Sequence, residues 1–133
     1  MTRREEAIEL KIQKAVALMN EVGILLQNHF YNTAISRLYY SCFHATKALL
    51  LTNDLVPKTH SGVSTLLHKH FVVPGLFDLS HASFFDKLMN QRIYDDYSDF
   101  MISDQEEINK YLQPAKEYLS YTLAMIRQIL AKK

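Results

Sequence analysis

The stretch "ISRLYYSCFHATKALL", residues 35–50, decides how this chain folds. Ile35, Leu38, Tyr39, Cys42, Ala45, Thr46, Leu49 and Leu50 recur at helical spacing and cover well over half of a helix circumference. A helix apolar on that many sides lies at the centre of a bundle, and its remaining arc faces a groove or an interface. That arc holds Ser36, Arg37, Tyr40, Ser41, His44 and Lys47. The pattern predicts a helix from Thr33 to about Thr52, with Asn32 as its N-cap.

The flanking sequence supplies the partners that such a helix needs. Before it, Ile8, Ile12, Ala15, Met19, Val22 and Leu26 form one apolar stripe over residues 5–27. After it, "NDLVPKTHSG" reads as a connector and Ser61–Val72 as a short helix ended by Pro74-Gly75. Residues 82–98 return to helical spacing through Phe84, Phe85, Leu88, Met89 and Ile93. Ser103 and Glu106 match a capping box that opens a last helix, with the stripe Ile108, Leu112, Ala115, Leu119, Thr122, Ile126 and Ile129. Pro114 falls inside it and is expected to bend the helix or remove one hydrogen bond. The expected fold is all-α: an antiparallel up-and-down bundle of four long helices plus one short helix, in a single domain over residues 1–133.

Composition narrows the function classes. The chain has 133 residues, 48 % of them apolar, with three glycines and three prolines. A sizeable core is available, and turn-rich sheet folds are disfavoured. A net charge of +1 gives no bulk electrostatic signal for nucleic acid, so any RNA contact is local. "MTRREEAIEL" has no apolar signal region, and no segment reaches the roughly 18–20 apolar residues of a membrane span. The expected setting is cytoplasmic, and Cys42 reads as a buried structural thiol. Gly23, Gly62 and Gly75 lie too far apart for a phosphate-cradling loop, and there is no nucleophile elbow. His68 and His70 fall on different faces and no further ligands complete a set with His60 or His81, so neither a metal nor a cofactor is expected.

Two constellations remain. Arg37 and His44 are seven residues apart and share a face, about 10.5 Å apart along the axis. With Tyr40 and Ser41 between them, they form a row able to hold a phosphate and move a proton. The alternative is structural: Arg37 bonds a carboxylate of a neighbouring helix, and His44 is a half-buried histidine. In "RIYDDY", Arg92 and Asp96 are four apart, followed by Tyr97. They make either an ion pair that closes the bundle or part of the same site. Should the second and fourth helices meet here, Arg37, Tyr40 and His44 face Arg92, Asp96 and Tyr97, and Arg37 is in reach of Asp96.

"AISRLYYSCFHATKALL", "KTHSG" at 58–62 and "RIYDDYSDF" at 92–100 occur in the order seen in HEPN domains (higher eukaryotes and prokaryotes nucleotide-binding). The resemblance covers about residues 5–130 and is closest to small stand-alone prokaryotic members. It implies a helical bundle, often a homodimer, that binds a nucleotide or works with a minimal nucleotidyltransferase. It also implies an alternative activity, since many such domains are metal-independent ribonucleases, among them toxins of toxin–antitoxin pairs. Their late-helix arginine falls on Arg92, and the position where they carry histidine is Tyr97. A tyrosine titrating near 10 is a poor base at neutral pH. Arg37, His44 and Arg92 are therefore the candidate catalytic residues. Arg37, Tyr40, Ser41, His44, Arg92, Asp96 and Tyr97 are the candidate ligand-binding residues.

Overall fold

The computed structural model describes residues 1–97 and 105–132, with side chains as far as Arg92 and again from Gln105. Its helices are α1 (Arg3–Gln27), α2 (Tyr31–Leu51), α3 (His60–Leu67), α4 (Leu79–Tyr97) and α5 (Gln105–Ala131). A single π-helical turn, His68–Val72, extends α3. Four long helices and one short one are what the apolar spacing predicts. Helix α2 packs against α1, α3, α4 and α5, as its near-continuous apolar surface requires. Ile35, Leu38, Tyr39, Cys42, Leu49 and Leu50 are all fully buried.

Side-chain contacts fix the directions. Ser41 meets Ala15, Arg37 meets Glu21 and Asp54 meets Arg4, so α1 and α2 are antiparallel. Cys42 meets Ala115 and Thr46 meets Tyr118, so α2 and α5 run the same way and pack directly on each other. Gln91 meets Tyr111 and Phe85 meets Tyr118, which makes α4 and α5 antiparallel. The result is up, down, up, down.

The helix ends carry the differences from expectation. Asn32 is not the N-cap of α2. The helix begins at Tyr31 after Phe30, which has no side-chain cap. The reason lies in the preceding turn: the N–H of Phe30 bonds Leu25 O and that of His29 bonds Leu26 O, with His29 at φ 61°. This is a Schellman cap with histidine at the left-handed position. It reverses the chain in three residues and starts α2 early. The end of α2 repeats the device: Leu55 bonds Leu50 O, Asp54 bonds Leu51 O, and Asp54 is at φ 58°. Glycine takes that position only after the π-turn, at Gly75. At the other end of α1, Thr2 accepts from the Glu5 N–H at 3.0 Å, which is also the capping-box pattern. Ser103 of the expected box at α5 lies outside the described residues. Helix α5 runs on through Pro114.

Candidate functional site: the α2–α3–α4 aromatic face

Tyr39 and Tyr40 divide between core and surface. Tyr39 is fully buried, stacked on Phe85 at 5.9 Å between ring centroids. Its hydroxyl lies 2.9 Å from His60 Nδ1, the first residue of α3. Burial holds this phenol well above its ordinary pKa, so it stays protonated beside the imidazole. His60 in turn stacks on Phe43, 4.6 Å between centroids, and meets the edge of Tyr40. The Thr59 hydroxyl caps α3 by accepting from the Gly62 N–H at 2.9 Å, which holds His60 at this corner.

Tyr40 is half-buried and brings two of the predicted residues together. The Arg92 guanidinium of α4 lies over its ring, 5.0 Å from the centroid. His44, one turn along α2, stacks beside the same ring at 6.3 Å. A cation on an aromatic face of this kind is worth about 0.5–1 kcal/mol where water reaches it. Arg92, Tyr40 and His44 thus share one face, edged by His60.

His44 is neutral there. Its pKa is pulled down to about 4, first by partial burial and then by Lys14, Lys47 and Lys11. The ring offers one N–H donor and one acceptor, and no charge, at neutral pH. A general acid or base works best with a pKa near the ambient pH, so in the free protein this imidazole is a weak one.

Arg37 has a different neighbour. Its Nε donates to Glu21 Oε2 of α1 at 2.6 Å, with both groups partly exposed. The acidic partner is supplied by the first helix, the structural alternative drawn from the sequence. Ser41 is fully buried, and its hydroxyl donates to the Ala15 carbonyl at 2.7 Å. That contact locks α1 to α2 and closes the hydroxyl to any ligand, so the row expected from Arg37 to His44 is interrupted. The side chains of Asp96 and Tyr97, on the last turn of α4, lie outside the described residues.

His60 is the residue that spacing alone under-read, because it belongs to the face through α3 packing and not through helix period. The run "KTHSG" carried the only signal. A second polar knot links α3 to α4: Asp86 accepts from the Ser64 hydroxyl and lies 2.8 Å from His68 Nε2. Among the described residues no three His, Cys, Asp or Glu side chains converge as a metal-ligand set. Among the same residues no helix is long and apolar enough to cross a membrane.

The HEPN domain model matches residues 8–125, which spans all five helices. The chain belongs to the HEPN domain family. Its relatives include a Methanocaldococcus jannaschii protein named "Putative toxin MJ0142", 32 % identical over 120 residues, or 90 % of this chain and 82 % of that one. A second from the same organism, "Putative toxin MJ0605", is 31 % identical over 125 residues, covering 94 % of this chain and 92 % of its own. A Thermotoga maritima UPF0332 protein is 26 % identical over 129 residues, covering 97 % and 98 %. The aromatic–cationic face described above is therefore the α2–α3–α4 face of a HEPN bundle.

Proposed function

We propose that this chain is a toxin-type HEPN module that binds a nucleotide on the Tyr40–His44–Arg92 face and acts together with a minimal nucleotidyltransferase. The observation that carries this is the Arg92 guanidinium over Tyr40 with an uncharged His44 beside it. A phenol ring offers a stacking surface for a base, the guanidinium charge suits a phosphate, and the neutral imidazole can bond a base or ribose edge. Calorimetric titration with ATP and AMP tests it. Binding is expected, weakened about tenfold by Tyr40→Leu and by Arg92→Gln. No heat and no thermal shift with any nucleotide would overturn it. Mixing with a nucleotidyltransferase encoded nearby is expected to give one peak on size exclusion, and the HEPN chain itself is expected to run as a homodimer.

The toxin names of two relatives favour a second reading, a metal-independent ribonuclease. It would use Arg92 and Arg37 to stabilise charge on the phosphorus and His44 to move the proton at the 2′-OH. Cleavage of RNA in the presence of chelator, with a 2′,3′-cyclic phosphate product that His44→Ala abolishes, distinguishes it from binding alone.

A further inference from the structure

We propose that the seam between α1 and α2 carries a phosphate-binding site made by Lys11, Lys14 and Lys47, filled by the phosphates of a nucleic-acid backbone or of a nucleoside polyphosphate. It goes beyond the nucleotide face and uses none of that face's cations. The seam is bounded by two ion pairs, Arg37–Glu21 at one end and Arg4–Asp54 at the other. Between them Ser41 is bonded to Ala15, and this register sets Lys14 level with His44 and Lys11 level with Lys47. Lys11 and Lys14 are three apart on α1, and His44 and Lys47 three apart on α2, so each pair shares a face.

The charges at the two ends are matched and those between are not. None of the three lysines has an acidic residue three or four positions away on its own helix. Among the described residues, no carboxylate forms an ion pair with any of them. Lys47 Nζ lies over the Phe43 ring of its own helix, 5.3 Å from the centroid. The register and the three-residue spacing place the three lysines on one stretch of the seam, and in keeping with this the Lys47 ammonium is made easier to deprotonate by partial burial and then by Lys11 and Lys14. The whole chain carries a net charge of only +1, so a cluster of three uncompensated cations is a concentrated exception. A phosphate supplies the missing negative charge, with lysine ammoniums as its point-charge partners and His44 as a neutral hydrogen-bonding neighbour.

The test is the Lys11→Gln/Lys14→Gln/Lys47→Gln variant against a Lys69→Gln/Lys116→Gln/Lys132→Gln control with the same change of net charge. A fluorescein-labelled single-stranded RNA, read by anisotropy across a salt series, is one probe; inorganic tripolyphosphate, read by calorimetry, is the other. The seam variant is expected to lose tenfold or more in affinity for whichever probe binds. For RNA, its slope of log affinity against log salt falls by about 2, since each phosphate contact contributes roughly 0.7 on a single strand. The control changes affinity by less than threefold. Binding of RNA alone, or of both probes, identifies the source of the phosphate. Circular dichroism checks the fold, and the single exposed Lys14→Gln gives a smaller loss in the same direction should the triple variant misfold. Loss in the control equal to that in the seam variant, absence of binding of both probes at 50 mM salt, or competition by polyglutamate as strong as by RNA overturns the proposal. Because Tyr40 and Arg92 are untouched, failure here leaves ATP binding by that face separately testable.

Discussion

Lowering the pH is expected to destabilise the fold through His44. In the folded chain its pKa is about 4, against about 6.5 for an unfolded histidine. Between those values the unfolded chain binds the proton and the folded one does not, so stability is full above about pH 6.5 and is lost as pH falls toward 4. Full linkage gives about 2 kcal/mol lost between pH 8 and pH 5. The ring is only half withdrawn from water, and the lysine repulsion is screened, which brings the expected loss to about 1 kcal/mol. Acidic groups elsewhere also titrate over this range, so the wild type is compared with His44→Gln, where they cancel. In urea, at a slope of about 1.5–2 kcal/mol/M, the wild-type midpoint should fall by roughly half a molar more than the variant's between pH 8 and pH 5. Proton NMR of the His44 ring supplies the pKa directly. Raising salt from 0.1 M to 1 M shortens the screening length from about 10 Å to about 3 Å, so the part due to Lys14, Lys47 and Lys11 should fade while the part due to burial stays. A His44 that titrates near 6.5, with the same pH dependence in both proteins, would refute the account of its surroundings.

Other substitutions separate structural from functional roles. Ser41→Ala removes a buried hydrogen bond to Ala15 and should cost about 1 kcal/mol in denaturant unfolding, with no change in nucleotide affinity. Arg37→Gln breaks an exposed pair with Glu21 and should cost under about 0.5 kcal/mol, again leaving ATP binding intact; a large loss of binding would return Arg37 to the site. His29→Gly relieves a left-handed backbone at φ 61° and should raise the melting temperature by about 2 °C, a gain reduced by loss of the 2.8 Å contact between His29 and the Tyr31 hydroxyl. The Cys42 thiol, fully buried and with its pKa raised by that burial, should react with a thiol reagent only as fast as the chain opens.

The fold was legible because it rests on periodicity. The α1 stripe of Ile8, Ile12, Ala15 and Val22 is buried, and Ala115, Leu119, Thr122 and Ile126 of α5 are buried with it. Two large members of the core escaped that pattern. Tyr111 and Tyr118 are buried beside the α5 stripe, Tyr118 completely, with its hydroxyl bonded to Thr46. Tyrosine is ambiguous in a sequence, because its ring belongs in a core and its hydroxyl needs a partner that only the packed neighbour reveals. Helix ends were less legible for a related reason: His29 and Asp54 occupy left-handed cap positions where glycine would have announced the turn.

The site was legible by halves. Helix spacing says which side chains share a face, and it placed Arg37, Tyr40 and His44 together on α2. It does not say which helix covers that face. Here α1 crosses the arc and gives its members opposite electrostatic surroundings seven residues apart: Glu21 neutralises Arg37, while partial burial, reinforced by Lys14 and Lys11, keeps His44 uncharged. The difference comes from the register of α1 on α2, which the three-residue reversal at Asn28–Phe30 and the Ser41–Ala15 bond hold in place. A slip of one helical turn would bring Lys14 toward Tyr40 and carry Glu21 past Arg37, breaking the ion pair. The chemistry of His44 is thus set by a turn and a buried hydroxyl that touch no ligand, and substitutions at His29 or Ser41 that alter this register would be seen first in the His44 titration.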